Sequence, residues 1–442
     1  MRPFAGTRRG GHVIASLAGF ASLFALCFVG IPLAIAMLIV GVIGFMLFRG
    51  SEAALAVAAQ QMTDAFTSHG LSVIPLFILM GTFIHRAGLA DDLFAAARAW
   101  LGHFRGGMAH ATIGACGGFS AVCGSSIATA ATMARVSLPQ MKRYGYDDGF
   151  ACGTVAAGGT LGILIPPSVP LVIYGILTET DITKLFMAGL LPGLLLGALY
   201  MVTAWGVVLV KPSHGRPAEK LALRERLQAF GRTWAVLVLF LGVLGGMYFG
   251  VFTPTEGAGV GAAGAFLFMV MRGKAQPAAV RAALLEAART TAALLMVTAA
   301  ALVFNNFLTI AGLTTVLVDW VQGLNVSPLG IIVAICLIYI VLGCVFDSLA
   351  AMFLTVPVFF PVIVGLGLDP IWFGILVVIV VELGLITPPV GMNVFVVKAL
   401  APDVGMWRIF AGVMPFVVAN LLCLVLVIAF PAIATLLPGF VK

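Results

Sequence analysis

The chain has 442 residues, 62% of them hydrophobic and only 9% charged, with a formal net charge of +7. Soluble domains carry about 25% charge, so a soluble globular protein is excluded and a polytopic protein embedded in the lipid bilayer is expected. The positive balance points to no nucleic acid: most of the 24 basic residues fall in short stretches between apolar segments, where they set membrane orientation.

Thr7-Arg8-Arg9-Gly10 is similar to a twin-Arg signal, but the apolar run from Val13 to Phe48 is far too long for a signal core, so an uncleaved anchor is expected. Gly30-Ile31-Pro32 splits that run into spans 13–30 and 32–48. An arm at 53–68 precedes a span at 71–87. Region 107–137 is apolar but interrupted at Gly117-Gly118-Phe119-Ser120 and Gly124-Ser125-Ser126. Spans follow at 149–177, broken by Pro166-Pro167, and at 184–210. The stretch 211–232, rich in Lys, Arg and Pro, reads as a cytoplasmic linker. Beyond it come spans 232–250 and 255–271, an arm at 278–290, a span at 290–310, and a second interrupted region at 328–363. The last spans are 371–399, broken by Pro388-Pro389, and 408–437. Each arm of the interrupted regions is short against the ~20 residues needed to cross a bilayer, so both read as re-entrant hairpins. Non-helical tips at membrane depth survive only inside protein or facing a cavity. The arms at 53–68 and 278–290 fit either interfacial helices along the membrane or plain amphipathic connectors.

The chain repeats itself at an offset of 222: Pro166-Pro167 matches Pro388-Pro389, Pro139 matches Pro361, Gly162 matches Gly384, and Pro32 matches Pro254. Residues 13–210 therefore align with 235–437. Each half holds five crossings and one hairpin, and an odd count inserts the second half upside down. The fold class expected is an all-α polytopic membrane protein, an inverted-repeat transporter with two re-entrant hairpins and two broken helices. Within each half, 13–87 and 235–310 are expected as scaffold, and 107–177 and 328–399 as the transport part. The positive-inside rule puts 211–232 in the cytoplasm and both termini outside, against the three N-terminal arginines.

Proline has no N–H, so Pro166 and Pro167 free the carbonyls of Gly162 and Ile163, and Pro388 and Pro389 those of Gly384 and Leu385. In hydrocarbon each orphan costs several kcal/mol, and a dehydrated Na+ is a partner, since hard cations take carbonyl and hydroxyl oxygens. The helix after each Pro-Pro pair begins with free N–H groups that suit an anion. The hairpin tips add Ser125 and Ser126, matched at the same offset by Asp347 and Ser348. The alternative is local: the serines bond back within their helix and Asp347 caps the helix after it. Thr253-Pro254-Thr255-Glu256 spells a capping box. Glu382, the mate of Thr160, either faces the cavity or pairs with a neighbour, and Asn305-Asn306 either bridges helices or breaks one. The seven cysteines form no CxxC and read as small core residues. The sequence holds no P-loop, HExxH, GxSxG or Cys/His constellation, so neither ATP hydrolysis nor another enzymatic activity is expected.

Several blocks then resemble one family. Val29-Gly30-Ile31-Pro32-Leu33-Ala34, Ile74-Pro75-Leu76-Phe77, Phe119 to Ser126, Gly158 to Ser168, Leu190-Leu191-Pro192-Gly193, Phe252 to Glu256 and Ile386 to Gly391 are similar to the large membrane (M, DctM-type) subunit of tripartite ATP-independent periplasmic (TRAP) transporters. The likeness covers nearly the whole chain. It implies an inner-membrane, Na+-coupled importer of an organic-acid anion working by an elevator motion. It also implies a small Q-type membrane subunit, separate because no fused segment precedes Val13, and a periplasmic solute-binding protein. On this sequence it implies one sodium site at Ser125, Ser126, Gly162 and Pro166 and a mate at Asp347, Ser348, Gly384 and Thr387. Substrate is expected near Gly124, Ser168, Gly391 and Asn393. A self-sufficient Na+/dicarboxylate symporter of related fold is the alternative.

Overall fold

The computed structural model describes residues 5–323, 326–344 and 346–440, with side chains from residue 14 onward. Arg2, Arg8, Arg9 and Lys442, which enter the orientation argument, lie outside the described side chains.

The described residues are all-helical. The first half runs α1 (Ala5–Phe28), α2 (Leu33–Arg49), α3 (Ser51–Thr67), α4 (Val73–Ala87), α5 (Leu89–Leu101), α6 (Gly107–Cys123), α7 (Ser126–Arg143), α8 (Asp148–Leu164), α9 (Val169–Thr178) and α10 (Ile182–Val210). A linker helix α11 (Leu223–Gly231) follows. The second half runs α12 (Trp234–Tyr248), α13 (Pro254–Met271), α14 (Pro277–Ile310), α15 (Leu313–Gly323), α16 (Pro328–Gly343), α17 (Ser348–Gly365), α18 (Pro370–Gly384), α19 (Met392–Leu400), α20 (Met406–Ala429) and the short α21 (Ala432–Thr435).

The sequence repeat is carried into the helix ends. Helix α7 spans 126–143 and α17 spans 348–365, so both ends move by 222 residues, and α8 and α18 begin at 148 and 370, the same shift. Each interrupted region is a pair of helices, 17 and 18 residues long in the first half and 16 and 18 in the second. Both spans holding a diproline are broken, α8 from α9 and α18 from α19. The fold is thus the expected all-α polytopic membrane class.

Several expectations are corrected. Gly117-Gly118-Phe119-Ser120 does not interrupt the first region, since α6 runs unbroken from Gly107 to Cys123. The arm at 278–290 and the span at 290–310 are one helix, α14, of 34 residues. In the first half a Ser68-His69-Gly70 turn separates α3 from α4, but Arg289-Thr290-Thr291-Ala292 contains no breaker, so the helix continues. At 1.5 Å per residue it is about 51 Å long, well beyond the ~30 Å hydrocarbon layer. Asn305-Asn306 does not break it either, because the Asn306 amide donates to the Leu302 carbonyl one turn back at 2.9 Å. Helix α11 lies in the stretch read as a linker and meets α12 at a 49° bend, and α5 and α15 lie outside the expected spans. The capping box forms as spelled: Thr253 N donates to Glu256 Oε2 at 2.8 Å, and Glu256 N to Thr253 Oγ1 at 3.3 Å.

The chain forms two compact units. One comprises Met1–Ser72, Arg289–Ile335 and Leu349–Pro370. Within it Phe304 meets Phe20 edge-on, ring centroids 5.4 Å apart, and α2 lies against the Phe304 backbone at Gly41. The other comprises Val73–Ala288, Cys336–Ser348 and Ile371–Lys442. Its centre is α8, buried along almost its whole length. Helix α20 reaches α8 through Gly153 and Gly412, whose backbones approach so closely that a Cβ on either would collide with the other helix. Small residues allow this contact in membrane bundles, where close packing replaces the hydrophobic drive between helices. At one end Arg408 bonds the Asp147 carboxylate at 2.7 Å, and the same carboxylate caps α8 by accepting from Phe150 N at 2.9 Å. Burial pushes the Asp147 carboxyl up, but these two bonds and the Arg408 charge outweigh it and hold it below its ordinary range.

Candidate functional site

The candidate site lies within the second unit, where hairpin tips meet diproline bends. In the first repeat the tip is Gly124-Ser125. Gly124 closes α6 with φ +65, a left-handed conformation that glycine adopts without penalty. Its position leaves no room for a side chain, since a Cβ would lie 2.7 Å from the Pro167 carbonyl oxygen. The Gly124 carbonyl accepts from Val169 N at 3.5 Å. Ser125 then caps α7, its hydroxyl accepting from Ala128 N at 3.4 Å. Its carbonyl lies against Gly162 on α8, where a Cβ would be only 2.7 Å from Ser125 O and 2.9 Å from Thr129 Oγ1. Gly124, Ser125, Gly162 and the Pro166-Pro167 bend are therefore one packed cluster.

In the second repeat Gly384, the mate of Gly162, packs on a different part of the preceding helix pair. Gly343 at the end of α16 packs on α18, where a Cβ on Gly343 would meet Gly384 Cα at 3.3 Å. The Thr387 hydroxyl donates back to the Leu383 carbonyl at 3.0 Å and contacts Cys344 Sγ at 3.1 Å. Ser348 is 7% exposed and its hydroxyl bonds Asp347 Oδ1 at 3.5 Å.

The freed carbonyls have found partners more often than the prolines alone imply. The Ser168 hydroxyl, capping α9, donates to Ile163 O at 2.5 Å. Asn393 N donates to Leu385 O at 3.0 Å, and Thr387 N to Gly384 O at 3.4 Å. Among the described residues no hydrogen bond reaches Gly162 O. Thr129 Oγ1 beside it is fully buried and likewise without a partner. The Ser125 carbonyl and the Thr129 hydroxyl both lie against Gly162, and hard oxygens of this kind suit a hard cation. Pro166 is buried at the same bend.

Ser126 faces elsewhere. It is 3% exposed and its hydroxyl touches Gly159 O at 3.0 Å and Glu382 Oε2 at 3.2 Å, and accepts from Asn393 Nδ2 at 2.9 Å. Glu382 and Asn393 come from the second repeat, 256 and 267 residues away. Glu382 therefore pairs with a neighbour, and that neighbour is a tip serine. No local pattern could have paired them; the only signal was an acidic residue in an otherwise apolar helix. Its repeat mate Thr160 instead bonds Tyr200 OH at 2.9 Å, which also accepts from Asn420 at 3.2 Å. Ser168 and Asn393 are fully buried, and Gly391, also buried, sits at the start of α19 with φ +63 and no side-chain cap.

Residues 20–433 match the family model described as tripartite ATP-independent periplasmic transporter, DctM component. The chain is 36% identical over 402 residues to a C4-dicarboxylate TRAP transporter large permease of Pseudomonas aeruginosa, covering 90% of this chain and 93% of that protein. It is 32% identical over 414 residues to a sialic acid TRAP transporter large permease of Vibrio cholerae, covering 93% and 96%. The fold is similar to the crystal structure of the YdaH transporter of Alcanivorax borkumensis, with TM-score 0.65, 16% identity and 88% of each chain covered. With the tips, bends and repeat described above, these matches show that the chain belongs to the DctM family of TRAP transporter large permease subunits, as a multi-pass transport protein of the bacterial inner membrane and not an enzyme.

Proposed function

We propose that this permease imports an organic-acid anion, with Na+ as coupling ion, by an elevator motion. The observation that carries the reading is the packing of Gly124 and Ser125 against Pro167 and Gly162, with the buried oxygens of Thr129 and Gly162 left over beside them. One sodium site is built on Ser125, Gly162 and Pro166, with the hydroxyl of the fourth expected residue, Ser126, turned to the side of Glu382 and Asn393, and its mate on Asp347, Ser348, Gly384 and Thr387. When bound, the ion neutralises the carbonyl dipoles that the prolines strip of donors. Substrate is held near Gly124 and Gly391, where the uncapped start of α19 offers N–H groups to a carboxylate. Ser168 and Asn393 stand behind it, their donor groups committed to Ile163 O and to Ser126 and Ala156 O. The moving part is 107–177 with 328–399, and the scaffold is 13–87 with 235–310.

A small Q-type membrane subunit and a periplasmic solute-binding protein complete the transporter, as the tripartite family description implies. Relatives named for C4-dicarboxylates and for sialic acid both carry acidic solutes, which supports an anionic substrate. The test is uptake into proteoliposomes with the cognate binding protein and small subunit. Ser126→Ala should raise the sodium needed for half-maximal uptake, and Asp347→Asn should weaken sodium dependence while assembly is retained. Uptake that ignores the sodium gradient would sink the coupling, and an unaltered sodium curve in both variants would sink the sites.

A further inference from the structure

Glu382 is fully buried and its Oε1 has no hydrogen-bond partner. Among the described residues no Lys, Arg or His forms a salt bridge with it: the ion pairs are Arg86 with Glu286, Arg272 with Asp92, and Arg408 with Asp147 and Asp148. A lone buried carboxylate without a countercharge costs several kcal/mol. The neighbouring hydroxyl does not resolve this. Ser126 has a single proton and two acceptors in reach, Gly159 O at 3.0 Å and Glu382 Oε2 at 3.2 Å. Its donor to the shorter contact is not available to the carboxylate.

A second orphan stands beside it. Asn393 Nδ2 donates to Ser126 Oγ and to the Ala156 carbonyl at 3.2 Å. A carbonyl only accepts, so the nitrogen must face it and the amide orientation is fixed. Asn393 Oδ1, fully buried, is left without a partner. In contact with one hydroxyl are therefore a carboxylate with a spare oxygen, an amide whose oxygen has none of its bonds made, and a backbone carbonyl. A proton would use one of these oxygens. A dehydrated monovalent cation takes several such oxygens at once, and a full negative charge offsets its lost hydration.

We propose that Glu382 and Asn393 of the second repeat complete the cation site at Ser126 of the first, Glu382 as its countercharge and Asn393 Oδ1 as a ligand. The inference rests on the reading of Ser126 as a sodium ligand. It makes the cation a bond between repeats: with the ion present the tip of the first hairpin is locked to α18 and α19, and without it Glu382 and Asn393 are left unsatisfied.

The experiment is a sodium titration of the thermal unfolding midpoint of the full chain purified in detergent, with potassium replacing sodium at constant ionic strength. Wild type should be stabilised by sodium and not by potassium. Glu382→Gln keeps size and hydrogen-bonding capacity but removes the charge, and should need at least tenfold more sodium for the same effect, about 1.4 kcal/mol of binding. Asn393→Ser removes the amide oxygen and leaves the charge, and should need several-fold more; it also serves if the first variant does not fold. A wild-type sodium response in whichever of the two folds overturns the inference, for that is what a Glu382 held neutral by its own proton predicts. No sodium response in wild type overturns the coupling-ion reading together with it, whereas the former result leaves that reading standing.

Discussion

Gly162→Ala tests whether the first hairpin tip is held against the broken helix by contact. The added methyl carbon would lie 2.7 Å from Ser125 O and 2.9 Å from both Ser125 C and Thr129 Oγ1. Two of these are backbone atoms of the tip, which cannot rotate away as a side chain would. Overpacking of this kind costs about 1–3 kcal/mol. Alanine regains about 1 kcal/mol over glycine inside a helix, so a net loss of up to about 2 kcal/mol is expected. Gly242→Ala is the control: it sits in α12 with nothing within 4 Å of its added methyl, and only the propensity gain applies. The assay is the unfolding midpoint of both variants in detergent, with sodium-driven uptake as a second readout. Gly162→Ala should melt below wild type and Gly242→Ala at or above it. If Gly162→Ala melts with the control, the tip yields freely and the claimed contact is wrong.

Ser168→Ala removes both the cap of α9 and the donor to Ile163 O in a fully buried setting, and should cost about 1–3 kcal/mol in chemical unfolding. Asp147 should make the fold acid-sensitive. A carboxyl held below its ordinary value contributes stability that is complete above about pH 4 and lost as pH falls through its lower folded value. Arg408→Gln should shrink that acid-induced loss and cost at most about 1 kcal/mol at neutral pH, because the arginine is half-exposed. Unfolding midpoints at neutral and acidic pH read both effects.

The legible parts of the site were those written twice. Pro166-Pro167 and Pro388-Pro389 announce their bends because proline cannot donate to a helix in any context. Thr253 to Glu256 is legible because a capping box closes within four residues. The long α14 was missed because its first-half counterpart contains a Gly70 turn that the second half lacks, and a repeat does not guarantee identical breaks. The rescue of Ile163 O by Ser168 was missed because counting lost N–H groups does not reveal which hydroxyl swings back.

The amino-acid order by itself determined the membrane class, the 222-residue repeat, the hairpins and the broken helices, since each follows from apolar run length and from what Gly and Pro forbid locally. Only the tertiary structure decided that Ser126 turns away from its own bend toward Glu382 and Asn393. Residues more than 250 positions apart have no periodicity in common, and their meeting depends on how α7, α18 and α19 pack around α8.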